Sequence, residues 1–590
     1  MTINTVREAA MTQVQPATPR QTVQVTFPDG RVFEAPPGTS LEAFIRAAYP
    51  QPNIPIVAAL VDGRLRELTY VPAKDAHVQP VDLTSADGMR IYRRSLLLLL
   101  LAAFEDVFPQ AQLVVEHSLT FGGYYCEVAG HPPLSKADLQ RLERRMWELV
   151  EANVPIVERE VPVEEAVQLF AQRGADDKVR LFRFRQKDYV TLYWLEDTVD
   201  YLHGYMVPST GYLRIFGLAP YPPGFVLRFP RRFQPLTLQP VTHLPRLVSV
   251  FRQHSRWMEL MHVTDVGALN EAIAEGRLQE LILISEALHE QDIATIAREI
   301  ARRKDVRVVL VAGPSSSGKT TFSKRLAIQL LALGLRPFAL SMDDYFVNRE
   351  ETPRDEHGNY DFDSPQALDI DLLNRHLQAL LQGKEVQLPR FNFITGRREA
   401  GPTVRLYPDQ IIIMEGIHGL NPFIAESIPR EQTYRVYVSA LTVLNLDRHN
   451  RISTTDTRLI RRIVRDARER GRNAEGTIAM WENVRRAEKR YIFPYQEHAD
   501  SMFNSALIYE MAVLRPLAEP LLLQVEPESA AYVEARRLIS FLRWFLPCED
   551  TRQVPNNSIL REFLGGSILE EFNVGLEMAR VHAPERAHPS

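Results

Sequence analysis

The chain has 590 residues, 45% hydrophobic and 24% charged, with a formal net charge of -5 at pH 7. That length exceeds a single hydrophobic core, so three or four domains are expected, and the small net charge gives no overall pull toward nucleic acid or an anionic membrane. Two cysteines, Cys126 and Cys548, stand far apart outside any CxxC or Cys/His pattern, which argues against a disulfide scaffold and suits a reducing, cytoplasmic setting.

Residues 1–20 are polar, lack an apolar signal-peptide run, and are expected to form a disordered lead. From Val23 to Tyr49 the pattern alternates as a strand, turns at Pro28-Asp29-Gly30, alternates again, turns at Pro37-Gly38, and takes helical spacing after Thr39 or Ser40. AALVDGRLRELTYVP then predicts a hairpin around Asp62-Gly63. Two hairpins about a helix make a small β-grasp module over residues 21–84, and this segment resembles the TGS domain of threonyl-tRNA synthetases and certain GTPases.

The apolar run from Leu96 to Phe104 is nine residues long between Arg94 and Glu105, far short of the roughly 20 needed to span a bilayer, so a buried helix is expected. Over residues 85–235, GMRIYRRSLLLLLLAAFEDVFP, FGGYYCEVAG and LFAQRGADDKVRLF resemble the second additional domain of threonyl- and alanyl-tRNA synthetases, which implies an α+β unit. In that family a His-Ser-x-x-x-His pair and a later Cys/His pair make a hydrolytic editing site. Here Arg94 and Leu98 replace the first pair, and Leu202 stands where the Cys is expected, leaving His203 alone. The resemblance therefore implies a retained fold without editing chemistry: a binding, regulatory or oligomerising half, with RNA or nucleotide contact and a homo-oligomer as expected partners.

Pro and Arg cluster over residues 219–240, which reads as a junction rather than an element interior. A helical linker is expected over residues 236–304, then VRVVLVAGPSSSGKTT, a β-branched run ending in Gly-x-x-x-x-Gly-Lys-Thr. Gly313 and Gly318 let the backbone curl so that its N–H groups face phosphate oxygens, Lys319 can reach the β- and γ-phosphates, and the Thr320 hydroxyl can ligate Mg²⁺. RPFALSMDDYF predicts a strand ending in Ser341, Asp343, Asp344 and Tyr345, and a carboxylate at such an edge can take an acceptor's proton or merely cap a helix. IIIM is a buried strand closed by Glu415, the place of an acid that holds Mg²⁺ opposite Thr320. Arg458, Arg461, Arg462, Arg465, Arg468, Arg470 and Arg472 crowd one helix and its exit, a density that fits a lid neutralising a transferring phosphoryl group; a nucleic-acid patch is the competing reading.

In order and spacing, GPSSSGKTT, LSMDDYF, YDFDSPQALD, LPRFNFITGRR, IIIMEGIHG and RLIRRIVRDARERGR resemble the uridine kinase and phosphoribulokinase family over residues 305–525. The resemblance implies an α/β P-loop kinase with a parallel sheet and helices on both faces. It implies ATP bound by Gly313, Pro314, Ser315, Ser316, Ser317, Gly318, Lys319, Thr320 and Thr321 with Arg470 and Arg472, and Mg²⁺ held by Thr320 and Glu415. It makes Asp343, Lys319 and Arg465 catalytic, and Asp343, Tyr345, Asp363, Phe391 and Arg462 substrate-binding, with Asp363 and Arg462 on the ribose hydroxyls. Where uridine-cytidine kinases carry a base-reading Tyr and His, this chain has Phe391 and Gly396, so a ring could stack but uracil readout is missing, and Gly396 leaves space beside the ring. The C-terminal extension, residues 526–590, reads as helical with an apolar face that packs on the kinase or across a dimer interface.

The whole arrangement also resembles bacterial uridine kinase-like nucleoside kinases. The expected function is ATP- and Mg²⁺-dependent phosphorylation of a nucleoside 5'-hydroxyl, most naturally a pyrimidine nucleoside in salvage. Two alternatives stand beside it: another small alcohol, such as a phosphorylated sugar or a pantothenate-like acceptor met by Arg390, Arg397 and Arg398, or an RNA-linked nucleotide switch.

Overall fold

The computed structural model describes residues 20–355, 358–442, 444–572 and 575, so the expected lead lies outside it apart from Arg20. Strands β1 (Val23–Thr26) and β2 (Val32–Ala35) form the first hairpin, helix Leu41–Ala48 follows, and β3 (Ile56–Val61) and β4 (Arg64–Glu67) form the second. A fifth strand, β5 (Ala76–Asp82), runs parallel to β1 and antiparallel to β3, joining both hairpins into one sheet of order β2-β1-β5-β3-β4. The helix buries Leu41, Phe44, Ile45 and Ala48 against that sheet.

Helix Ala86–Val107 is capped by the Ser85 hydroxyl, which accepts from Gly88 N at 2.9 Å. Its leucines from Leu96 to Leu101 are all at most 4% exposed. A helix apolar all round must be covered all round, and this one is packed by helix Lys136–Ala152 and by strands on its other sides. No helix among the described residues is long and apolar enough to cross a membrane.

Strands β6 (Gln112–Leu119) and β7 (Gly123–Ala129) join β11 (Gly217–Tyr221) and β12 (Gly224–Arg228) in an antiparallel sheet of order β11-β12-β7-β6, while β8 (Val157–Pro162), β9 (Tyr189–Leu195) and β10 (Thr198–Asp200) make a smaller one. The proline-rich junction expected from residue 219 is therefore, in its first part, a hairpin. Pro220 is tolerated because β11 is the edge strand, where a missing N–H removes nothing from the ladder.

Helices Pro245–Met261, Val266–Ala274 and Leu278–Arg302 lead into β13 (Val308–Ala312), whose five residues are all buried. With β14 (Arg336–Ser341), β17 (Gln410–Glu415), β18 (Thr433–Ser439) and β19 (Ser501–Asn504) it forms a sheet of order β14-β17-β13-β18-β19, every pairing parallel. The side chains of β13 alternate between two cores. Val309 and Val311 join Ile296, Phe322 and Leu326 on one face, and Val308 and Leu310 join Phe338, Leu373 and Leu377 on the other. A strand covered on both faces reads as an unbroken apolar run, which is why VVLVA does not alternate. Between β14 and β17 lies an antiparallel hairpin of β15 (Val386–Asn392) and β16 (Arg397–Val404).

The segment after β18 docks the parallel-sheet unit onto the preceding half. Val115 N donates to Arg448 O at 2.9 Å, Arg448 pairs with Asp177 at 2.7 Å, and Lys178, 2% exposed, lies 2.7 Å from Asp200 and 2.9 Å from Asp447.

Candidate functional site

The loop between β13 and helix Lys319–Ala332 is shaped by steric demands that only some residues meet. A Cβ on Gly313 would lie 1.9 Å from Val438 O, so the loop can approach β18 that closely only without a side chain. Gly318 has φ +81°, and a Cβ there would lie 2.4 Å from Ile559 Cγ2. Ser316 also adopts a left-handed φ of 57°. Among the described residues the Ser316 and Ser317 hydroxyls are buried without partners, and Lys319 Nζ folds back to donate to Pro314 O at 3.1 Å.

Asp343 enters from a single 3₁₀ turn, Met342–Tyr345, at the end of β14, capped by the Ser341 hydroxyl. In a 3₁₀ turn, positions three apart eclipse, so Met342 and Tyr345 both point into the core while Asp343 points out. Tyr345 is fully buried with its hydroxyl 3.2 Å from His376 Nδ1, which corrects its expected place among the substrate-binding residues. Glu415 closes β17 beside β13, and its Oε1 accepts from the Thr320 hydroxyl at 3.0 Å, so the two expected metal ligands are in contact.

Helix Thr454–Glu469 faces the loop. Its arginines divide by their spacing. Arg458 and Arg461 point inward, fully buried, paired with Glu488 and Glu510, and their guanidinium groups also reach Ser315 O and Ser505 O. Arg462 and Arg465 point to the cavity: Arg462 donates to Ser315 Oγ at 2.8 Å and to Asp466 at 2.7 Å, and Arg465 pairs with Glu562 at 3.1 Å. Arg470 and Arg472 also approach Asp466, at 3.6 and 3.8 Å.

These groups converge on one cavity of about 890 Å³, lined by Ser315–Thr320, Asp343, Asp363, Glu415, Phe391, Arg462, Arg465, Arg470 and Arg472. Gly313 and Pro314 lie behind the loop, and Thr321 faces away, its N–H and hydroxyl donating to Glu562 Oε2 at 3.4 and 3.1 Å. At the far end, Phe346, Phe391 and Phe393 meet edge to face, with centroids 5.1 to 6.3 Å apart. The space expected beside Gly396 is taken: a Cβ there would lie 2.7 Å from Arg349 Nε. Arg397 and Arg398 pair with Glu350 and Asp369, so with Arg390 they leave the cavity unlined, and Arg349 and Arg354 take that role.

Burial lifts Asp343 above the usual carboxylate range, and the nearby Asp344 adds to it while Lys319 opposes. Burial raises Glu415 to about 7 and Asp363 to about 6, the latter helped by Glu488 and Asp361. Lys319 is pulled down by burial. The site thus brings three raised carboxylates to one cavity, a donor set that a divalent cation bridging to phosphate would relieve. Among the described residues no three His, Cys, Asp or Glu side chains gather into a metal cluster.

Sequence reasoning missed Glu562, which reaches the loop from 241 residues away in the chain, and Glu488, whose carboxylate accepts from Ser315 N at 3.1 Å. Neither carries a local signal. The C-terminal segment expected to be helical does form helix Tyr532–Leu542, which buries Leu538, Ile539, Phe541 and Leu542, but residues 554–564 are mostly irregular with one short turn, Arg561–Leu564, and pack Ile559, Leu560 and Phe563 under the loop and the arginine helix.

In His203, the ring meets the Tyr201 hydroxyl at 2.9 Å and the backbone N–H donates to Asn450; Arg94 donates to Tyr205 O.

The sequence model of the Phosphoribulokinase / Uridine kinase family matches residues 308–510. The N-terminal region is similar to threonine–tRNA ligases: 34% identical to that of Symbiobacterium thermophilum over 197 residues, 33% of this chain and 30% of the relative, and 34% identical to that of Geobacter sp. over 199 residues, 33% and 31%. The match thus spans less than a third of those relatives' length. Among solved structures, a possible uridine kinase from Bacillus stearothermophilus is 26% identical, with 22% of this chain and 70% of that chain covered and a TM-score of 0.19.

Proposed function

We propose that this chain, whose residues 308–510 match the phosphoribulokinase and uridine kinase family model, is a P-loop kinase that transfers the γ-phosphoryl group of ATP to the 5'-hydroxyl of a nucleoside, a pyrimidine nucleoside first. The observation that carries this reading is the convergence of the loop, Asp343, Glu415, the arginines of one helix and three phenylalanine rings on a single cavity. At about 890 Å³ it falls in the range of ligand pockets.

In this reading the loop amides and Lys319 cradle the nucleotide phosphates, and Thr320 and Glu415 would hold Mg²⁺, whose charge supplies neutralisation at the transferring group when bound. Asp343 accepts the proton of the acceptor hydroxyl or orients it for in-line attack. Asp363 and Arg462 hold the ribose hydroxyls, and Phe391 and Phe393 give the base a stacking face. Arg465, Arg470 and Arg472 balance the charge spread over the transferring phosphoryl oxygens. The synthetase-like half serves as a binding or regulatory unit.

A phosphorylated sugar is the second reading, favoured by Arg349 and Arg354 at the aromatic end of the cavity. The test is ADP release from ATP and magnesium with pyrimidine nucleosides, purine nucleosides, phosphorylated sugars and no acceptor. Stimulation of at least tenfold by a pyrimidine nucleoside is expected. Turnover that needs a phosphorylated sugar would move the assignment to the second reading, and turnover indifferent to every acceptor would overturn both in favour of a nucleotide switch.

A further inference from the structure

A second cavity, of about 570 Å³, lies between the two halves of the chain. Its walls come from helix Ala86–Val107, the β6–β7 hairpin, the turn after β12, the segment following β18, and helices Ala474–Tyr491 and Tyr532–Leu542. Ten arginine and lysine side chains line it against four carboxylates, and all four carboxylates are already engaged. Asp87 and Glu534 meet Arg90, Asp456 and Glu534 meet Arg537, and Glu482 meets Arg232.

Arg93, Arg231, Arg451 and Lys489 have no carboxylate within ion-pair distance among the described residues. Three of them lie over rings instead: Arg93 at 4.5 Å from the Phe229 centroid, Arg451 at 5.5 Å from Tyr124, and Lys489 at 4.5 Å from Phe233. Arg93 Nε is buried without a hydrogen-bond partner, as is the indole N–H of Trp481, a cavity-lining residue 7% exposed. Burial first, and then mutual repulsion, brings Arg93 down to about 10 and Lys489 down to about 7. Half-buried cations crowded together without counter-charge are costly, and a fold that keeps several of them around one void has built an anion site.

We propose that this cavity binds a nucleoside polyphosphate, distinct from the one at the phosphate loop, with its phosphates among Arg93, Arg231, Arg451 and Lys489. Several like charges at one end call for a ligand with several negative charges, which a polyphosphate supplies and a carboxylate metabolite does not. Phe229 and Tyr124 seat Arg93 and Arg451 at the cavity wall, and the volume suits a mononucleotide. The two cavities share a wall. Arg458 and Arg485 line the second cavity, and both donate to Glu488, which accepts from Ser315 N in the phosphate loop. An occupant would therefore act on the same carboxylate that holds the loop, and coupling between the sites would be reciprocal.

The proposal does not rest on the identity of the kinase's acceptor, and full-length protein tests it. Equilibrium dialysis with labelled ATP should show two equivalents bound to the wild type and one to Lys319→Ala, which cripples the phosphate loop. A triple variant, Arg93→Gln, Arg231→Gln and Lys489→Gln, should bind one, at the loop, and the combination should bind none; an unchanged circular-dichroism spectrum and a cooperative melt at or above the wild-type temperature show that the triple variant is folded. Inorganic tripolyphosphate should compete for the site that survives in Lys319→Ala, and its competition should weaken at least tenfold once the three cations are also replaced. A stoichiometry of one in the wild type, or of two in the triple variant, overturns the proposal. So does retention in Lys319→Ala of a short single-stranded RNA with no binding of ATP, which would make the cavity an RNA-end site.

Discussion

Two clusters of buried charge, one at the phosphate loop and one where the halves meet, are built from the same residue types and behave in opposite ways. At the junction, Lys178 bridges Asp200 and Asp447, Arg448 holds Asp177, and His449 lies 2.6 Å from Asp200. There the lysine and arginine hold Asp177 and Asp200 below the ordinary carboxylate range despite burial. At the loop, Asp343, Asp363 and Glu415 are all held above it. A carboxylate pushed down is satisfied by the fold, and one pushed up is waiting for something the fold does not supply. The first cluster therefore reads as structure and the second as a site.

The sharpest way to break that contrast is Asp343→Asn. Turnover should fall by about 10²–10⁴-fold, the usual range for losing a general base. Because the change removes a charge that the cleft desolvates and Asp344 crowds, the melting temperature should hold or rise. A drop in stability with turnover intact would place Asp343 in the structural class.

The converse change is Lys178→Met. Removing the cation strands two buried carboxylates, and breaking a buried pair in this way costs about 3–5 kcal/mol. The lowest-temperature unfolding transition should fall by several degrees while kcat of the folded fraction stays within about twofold, as differential scanning calorimetry and steady-state kinetics would show.

A third test uses pH. Asp363 lies near about 6, raised by burial and by Glu488 and Asp361. Its protonated form dominates below that pH and gives up an acceptor for ribose hydroxyls, so kcat/KM for the acceptor at saturating magnesium should fall about tenfold per unit below pH 6 and level off above it. Asp363→Asn should lower kcat/KM at neutral pH and flatten that limb.

The contrast also explains what the amino-acid order disclosed. The phosphate loop, Asp343 and Glu415 were legible because each sits at the end of an apolar run, β-branched in β13 and β17, where a parallel sheet delivers it to one edge. Tyr345 was misread because the motif groups it with Asp343 and Asp344, while the 3₁₀ turn Met342–Tyr345 exposes only the residues between its eclipsed positions. The arginine helix was legible as a dense basic segment, but which of its arginines face the cavity depends on Glu488 and Glu510, acids that arrive from later helices. β5 was obscured because its parallel partner β1 lies far back along the chain, and the hairpin of β11 and β12, although its strands are neighbours, because Pro220, Pro222 and Pro223 read as a junction.

The smallest effect is expected at Glu562, the acid that arrives from furthest away. Its carboxylate pairs with Arg465 at 3.1 Å through one oxygen and accepts from Thr321 through the other, so it fixes the direction of the arginine that faces the phosphate loop. Glu562→Gln keeps the shape and removes the charge, leaving Arg465 oriented less firmly. A loss of about threefold to tenfold in kcat with little change in KM for ATP is expected, equivalent to about 1 kcal/mol of positioning. If Glu562 acts only through Arg465, then Arg465→Ala should cost less in the Glu562→Gln background than in the wild type, and a double-mutant cycle measures that difference. Strict additivity would mean that the C-terminal segment merely packs beneath the loop through Ile559 and Phe563.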